Sequence, residues 1–464
     1  MPSHPIDFTI QSLVFSTKES ALIFDEQTRF SRWLSFEAAL ASSQAELNII
    51  PQQAADTICK NARLESLDIN QIALEYTTNR NSLVPVLKVL RKACGKYGDY
   101  VHFGATTQDV LDTCLILEIK DSLSLAYRDL RTIEDALLRL AKEHRLTPMI
   151  GRTHSQQAMP ITFGLKVSIW LAELRRHIER LKSVAHRVLC GQLSGAVGTM
   201  AALGDKGLET SERTMAKLGL ASSALPWHTS RDNIAETCGV FSMITATACK
   251  IANEVFQLGK TEILELREPS AAGKSAGSST MPHKRNPVLC ERVAVLATHV
   301  RALAQITQES MIHENERDPR SLWAEWLAVP QISIYTATAL NYLKQITANL
   351  EVFPDRMLSN IHLHKDSILS EWLLFKISSV TGKTKALELI NDFSVESKQS
   401  GRATKELIAA HKDLAPHFSP EDLLMFDCPE RYIGLAPEIV DVTIRDIEKK
   451  RAQDPLKLDK LAKS

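Results

Sequence analysis

Residues 271–287 read AAGKSAGSSTMPHKRNP: two glycines, four serines or threonines, two prolines, one histidine and three cations in seventeen residues. Such a stretch cannot pack as core, because its backbone polar groups would be left unpaired. Gly273 and Gly277 let the backbone bend and approach a ligand closely, while Pro282 and Pro287 keep the second half out of a helix. By composition alone it is a surface loop of flexible linker type.

Outward from this loop, apolar residues recur in alternating steps of three and four. Ile116, Ile119, Leu123, Ala126, Leu130, Ile133, Leu137 and Leu140 form one seam, within a run from Ala105 to Thr147 that lacks glycine and proline. If helical throughout, that run is about 60 Å long. Leu171, Leu174, Ile178, Leu181, Ala185 and Val188 make a second seam, and Phe241, Ile244, Ala248, Ile251, Val255 and Leu258 a third. Leu289, Val293, Leu296, Val300 and Leu303 give a fourth, and Tyr335 to Leu350 suggests a fifth. A helix with one apolar stripe must bury it, so the pattern predicts an all-α protein built on a long bundle. Periodicity alone also allows a coiled-coil scaffold. The expected units are a helical N-terminal domain over 1–110, the bundle over 111–353, and a small C-terminal domain of short helices over 354–464, broken by Gly382, Gly401, Pro416, Pro420, Pro429 and Pro437.

Lys plus Arg and Asp plus Glu both number 55, giving a formal net charge of zero. There is no cationic footprint for nucleic acid or an anionic membrane. Eight cysteines lie scattered without a CxxC pair or histidines at zinc spacing, against a disulfide framework or a structural metal. The start, MPSHPIDFTIQSLVF, lacks a secretory pattern, and no apolar run approaches a membrane span, so the expected location is the cytoplasm.

The order of residues in GSSTMPHKRNP resembles the signature of the fumarase/aspartase superfamily, Gly-Ser-x-x-Met-Pro-x-Lys-x-Asn-Pro. The resemblance implies five long helices per subunit, a homotetramer with a twenty-helix core, and sites shared among three subunits. It also implies cleavage of a C–N or C–O bond to release fumarate, or a closely related reaction on a small di- or tricarboxylate, without cofactor or metal. Ser278 is then the base, although a serine hydroxyl needs desolvation under a closed loop, with Lys284 and backbone amides nearby, to ionise. Lys284 and Asn286 would hold substrate carboxylates, with Ser279 and Met281 beside them.

Three further stretches carry the resemblance. In HFGATTQDVLDT (102–113), hydroxyls and amides gather at a helix start, a natural anion site. Thr106, Thr107 and Gln108 are assigned to substrate binding, and Asp109 and Asp112 to local structure. In GRTHSQQAMPITFG (151–164), His154 reads as a histidine near a helix start; the resemblance makes it the general acid, with Arg152 and Thr153 in the site. In HENERDPRSLWAEW (313–326), Arg317 resembles an arginine placed near substrate. Asn81 is either a substrate contact or a helix cap. His228 and Arg231, in LPWHTSRDNIAE (225–236), either meet a carboxylate, or Arg231 joins a surface network with Asp232 and Glu236. GQLSGAVGTMAALG (191–204) reads as a tight loop.

Within the superfamily, the start lacks the Arg-Tyr pair that adenylosuccinate lyases place near the nucleotide phosphate, and SLWAEW (321–326) stands where those enzymes carry Ser-x-x-Arg-Arg. PWHTSRD, SGAVGTMAALG, GSSTMPHKRNPV and the ERD…WAEW pattern resemble the 3-carboxy-cis,cis-muconate cycloisomerase branch, yet cycloisomerases carry Trp where this chain has His154. A histidine there favours a lyase that protonates a leaving group. The expected reaction is elimination of fumarate from an N-substituted aspartate, with the cycloisomerase as the alternative. A non-catalytic structural protein would be expected to have lost His154, Ser278, Lys284 or Asn286, and all are present.

Overall fold

The computed structural model describes residues 4–270, 281, 283–363 and 368–458. All five seams become long helices of an all-α protein. The principal helices of the N-terminal unit are α1 (Glu26–Glu46), α2 (Gln52–Asn61), α3 (Ile69–Asn79) and α4 (Leu83–Ala93). The bundle consists of α5 (Thr107–Glu143), α6 (Phe163–Val188), α7 (Asp232–Leu258), α8 (Val288–Glu309) and α9 (Pro319–Ala348). Between α5 and α6 runs an antiparallel hairpin, β1 (Pro148–Thr153) and β2 (Gln156–Thr162). Then follow α10 (Pro354–His362), α11 (Ser370–Thr381), α12 (Lys383–Ser400), α13 (Thr404–Ala410) and α14 (Ala436–Arg451).

The seam residues of α5, α6 and α7 all lie in one buried core. Local signals set the ends. Thr162 Oγ1 accepts the Leu165 N–H to cap α6, and Asp318 Oδ1 accepts the Arg320 N–H to cap α9, with Pro319 at the first position where its missing donor costs nothing. A Cβ at Gly164 would come within 2.8 Å of the His144 carbonyl oxygen and the Arg145 Cα, so only glycine lets the start of α6 pass the end of α5.

Three expectations change. The fifth helix begins at Pro319, not Tyr335, and runs through Pro330; the tryptophan-rich half of HENERDPRSLWAEW is its opening turns. α7 has a mean hydropathy of 1.2 over its most apolar 18 residues, long and apolar enough to cross a membrane, but 61% of that window is buried inside the fold. The C-terminal region divides in two. Ile361, Leu369, Ile377, Phe393, Ile408 and Phe426 belong to a separate small core with Ile150 of β1, whereas Val440, Ile444 and Ile447 of α14, with Leu458, join the bundle core. Asp454 fastens that return, its buried carboxylate meeting Arg175 at 2.7 Å and Lys182 at 2.8 Å, with Arg131 alongside. These partners lie some 270 to 320 positions away in sequence, beyond any local pattern.

One buried group within the bundle makes stability depend on pH. His177 Nε2 on α6 lies 2.8 Å from Thr247 Oγ1 on α7, whose only proton goes to Glu173 at 2.6 Å. Nε2–H is therefore the donor, and Nδ1 accepts from Arg180 at 3.3 Å. Burial, aided by Arg180, pushes the imidazole down from 6.5 to about 4. The unfolded chain thus binds more protons than the folded chain across that interval. The stability contribution is whole above pH 6.5 and is lost as pH falls toward 4. Between pH 7 and 4.5 the loss should be about 2–3 kcal/mol. His177→Gln keeps a donor for Thr247 and does not titrate, so urea unfolding at the two pH values should show the variant losing about that much less than the parent. Equal losses would exclude the mechanism.

Candidate active site

The N-terminus of α5 is held from several sides. Asp109 is fully buried and accepts from the backbone N–H groups of Thr106 (3.0 Å), Ser194 (2.9 Å) and Gly195 (3.0 Å), with His228 Nε2 at 3.2 Å. One turn later Asp112 takes Gln108 Nε2 at 2.8 Å, Gln192 Nε2 at 2.7 Å and Arg231 Nη2 at 3.0 Å. The assignment of both aspartates to local structure stands on these contacts. They pin the 191–196 loop against the helix start, where Thr106 and Thr107 remain part-exposed. Arg317 completes the patch, its Nη1 3.5 Å from Thr106 Oγ1 and its Nη2 donating to the Ala196 carbonyl at 2.5 Å. Two hydroxyls and a guanidinium at a helix N-terminus can hold a carboxylate.

Arg231 departs from both of its expected roles. Its side chain is fully buried between Asp112 and Glu325, with Nε 3.0 Å from Glu325 Oε1, and its guanidinium carbon lies 5.1 Å from the centroid of the Trp227 ring. Burial opposes the charge, but the two carboxylates outweigh it and hold the guanidinium above its ordinary value. Burial pushes Glu325 up, with Arg231 pulling against it. No surface network forms either: Glu236 pairs instead with Arg187. His228, only 2% exposed, is likewise spent on Asp109. Gln108 is buried on Asp112, which leaves the two threonines as the exposed members of that trio. Asn81 caps α4, its Oδ1 accepting the N–H groups of Leu83 (3.0 Å) and Val84 (3.2 Å).

His154 lies at the tip of a hairpin, not near a helix start. Thr153 pairs with Gln156, so His154 and Ser155 form a two-residue turn with φ of 51° and 64°. Both central residues are left-handed, as the strand twist demands, and the imidazole projects exposed from the end of a rigid ribbon. Arg152, one pair in from the turn, makes a two-point ion pair with fully buried Glu265 at 2.7 and 2.9 Å, and Asn360 adds a bond to the same carboxylate at 2.8 Å. Arg152 thereby anchors the hairpin. Lys284 is exposed and Asn286 half-buried just before α8, beside the end of α7; Met281 is exposed. Ser278 and Ser279 lie outside the described residues.

The candidates thus fall into two groups at opposite ends of the bundle. Thr106, Thr107 and Arg317 stand at the start of α5, while the hairpin follows its other end. At 1.5 Å per residue, α5 separates its ends by about 55 Å.

Residues 15–302 match the family described as Lyase. The chain is a member of the fumarase/aspartase superfamily, and it is an enzyme of that superfamily. It is 39% identical to an N-acetyl-S-(2-succino)cysteine lyase of Dickeya dadantii over 96% of this chain and 98% of that one. It is 34% identical to an adenylosuccinate lyase of Pyrococcus abyssi over 97% and 98%. Among solved structures, the 3-carboxy-cis,cis-muconate lactonizing enzyme from Pseudomonas putida superposes with a TM-score of 0.89 at 32% identity, covering 95% of this chain and 99% of that one.

Several residues of this superfamily member escaped the sequence reading. Glu325, Gln192 and Glu265 position the site residues, yet each is a lone polar residue whose partner is distant in sequence. Glu325 had one signal, an acid between Trp323 and Trp326 in a helix, where an unpaired charge would be costly. His313 is another: burial and then Arg231 push its imidazole below the ordinary value.

Proposed function

We propose that this enzyme eliminates fumarate from a succinyl group carried on the sulfur or nitrogen of a small leaving group. What carries this is the near full-length likeness to a lyase whose name specifies an S-succinyl thiol. His154 supports it, because a leaving thiolate or amine needs a proton, and an exposed imidazole on a stiff ribbon can deliver one. The carboxylates of the succinyl group would rest on Thr106, Thr107 and Arg317 at one end and on Lys284 and Asn286 at the other. Ser278 would take the proton from the carbon next to a carboxylate. The electron pair then forms the fumarate double bond as the C–S or C–N bond breaks, and His154 protonates the departing atom.

The separation of the two residue groups within one chain is the physical reason to expect self-association. A single copy cannot bring Thr106 and His154 to one substrate, whereas copies packed antiparallel can, as in a homotetramer with shared sites. Ile169, Val295, Trp323 and Leu327 leave bundle helices exposed by 48% or more, a surface suited to burial between copies. All eight cysteines are free thiols, which suits the reducing cytoplasm.

The test is ultraviolet absorbance of fumarate from a panel of S- and N-(2-succinyl) compounds, with Ser278→Ala as control. Release by the parent, reduced by at least about 100-fold in the variant, is expected. The likeness to the lactonizing enzyme gives a second reading, the cycloisomerase. Silence across the panel together with consumption of 3-carboxy-cis,cis-muconate would replace the lyase with it.

A further inference from the structure

A cavity of about 490 Å³ lies between α1, α3 and the first third of α5, within the range that small ligands occupy. Its wall is aromatic: Phe24, Phe30, Trp33, Tyr76 and Trp326 all line it. α3 roofs it without packing closely on α1 or α5, and is tied to α4 through Glu75, which accepts from Lys88 Nζ at 2.7 Å.

Of the three charged residues in the wall, Arg29 and Glu118 engage each other, and Glu26 is a solvent-exposed carboxylate at the start of α1. Arg29 makes two bonds to Glu118, at 2.8 and 3.0 Å, and Arg32 stands 3.7 Å from the same carboxylate. Burial holds the Cys114 thiol well above its ordinary pKa, so it stays neutral. An anionic ligand would lose its water and find no free cation in the wall, since Arg29 is held by Glu118, whereas an uncharged apolar body would lose little and gain the aromatic wall.

Position connects this cavity to the substrate groups. Leu111, Cys114, Leu115 and Glu118 line it from one face of α5, at steps of three and four. The preceding residue on that stripe is Thr107, one turn nearer the helix start, where Arg317 also reaches Thr106. Ser82, next to the α4 cap, lies in the wall, and so does Trp326, adjacent in α9 to the Glu325 that pairs with Arg231. A molecule whose carboxylate sits on the two threonines therefore has this cavity as the space running on along α5.

Resting on the elimination reaction proposed above, we propose that this cavity is the leaving-group subsite, and that it selects an uncharged apolar or aromatic body on the departing sulfur or nitrogen. Nucleotide leaving groups are disfavoured, since no cation in the cavity is free of a carboxylate partner among the residues described.

The experiment compares fumarate release by the full-length protein from S-(2-succinyl) derivatives of methanethiol, propanethiol and benzyl mercaptan. kcat/KM should rise about fourfold for each methylene buried, with the benzyl compound at least tenfold above the methyl one. Ala73→Phe and Ile69→Trp, at lining positions on the exposed side of α3, should each fill the space and bring the benzyl-to-methyl ratio toward one. Two variants guard against one that folds poorly, and a ratio cancels any common loss of active protein. Activity on all three thioethers at equal kcat/KM, or a ratio untouched by both substitutions, would overturn the subsite while leaving the elimination reaction standing. Fumarate from none of them would instead overturn the elimination reaction, and the subsite with it.

Discussion

Exchanging His154 for asparagine should lower kcat for fumarate release by about 10²- to 10⁴-fold, the usual contribution of a positioned general acid, the role proposed for it, and should leave the thermal unfolding midpoint unchanged. Both halves follow from the hairpin. The imidazole is exposed at the tip and has no packing to lose. Its backbone has a φ of 51°, which asparagine tolerates better than most residues, so the turn is kept while the acid is removed. A β-branched replacement would strain the turn and confuse the two effects. Stopped-flow absorbance measures the rate and calorimetry the midpoint. A fall of less than threefold would remove His154 from the proton transfer, and a lower midpoint would give it a structural role.

Arg231→Met should lower the free energy of unfolding by about 3–5 kcal/mol, because Asp112 and Glu325 are then left as buried carboxylates without their shared cation. This is the largest stability effect expected from a single substitution in the site. Asp112 also holds Gln108 and Gln192, so the 191–196 loop should loosen and KM should rise with the loss of stability. Adding Glu325→Leu to Arg231→Met removes one stranded carboxylate and should recover more than half of the loss. Urea unfolding is to be measured at a fixed protein concentration, since association contributes to apparent stability. A single variant that loses less than about 1 kcal/mol, or a double variant no better than the single, would show the triad to be electrostatically slack.

How much of this was legible beforehand depended on whether the signal was local. Ile116 to Leu140, Leu171 to Val188 and Phe241 to Leu258 announced their helices because a buried stripe needs apolar residues every three or four positions, whatever the helix packs against. The signature around Ser278, from Gly277 to Pro287, named the superfamily from eleven consecutive residues. His154 was singled out, but its place in the fold was misread. The two-residue turn around it lacks the glycine or Asn-Gly that marks such turns, so the hairpin gave no local sign.

The sequence by itself therefore determined the helices, their seams, the superfamily and the residue types that chemistry requires. Tertiary structure decided which of those polar residues remain available. Arg231, Arg152, His228 and Asn81 all looked able to meet a substrate, and each is taken up by a partner inside the fold. Three of those partnerships join positions 94, 113 and 119 residues apart. A buried charge must find its counterion wherever the chain brings one, and that meeting is set by the packing of whole helices, which no window of sequence contains.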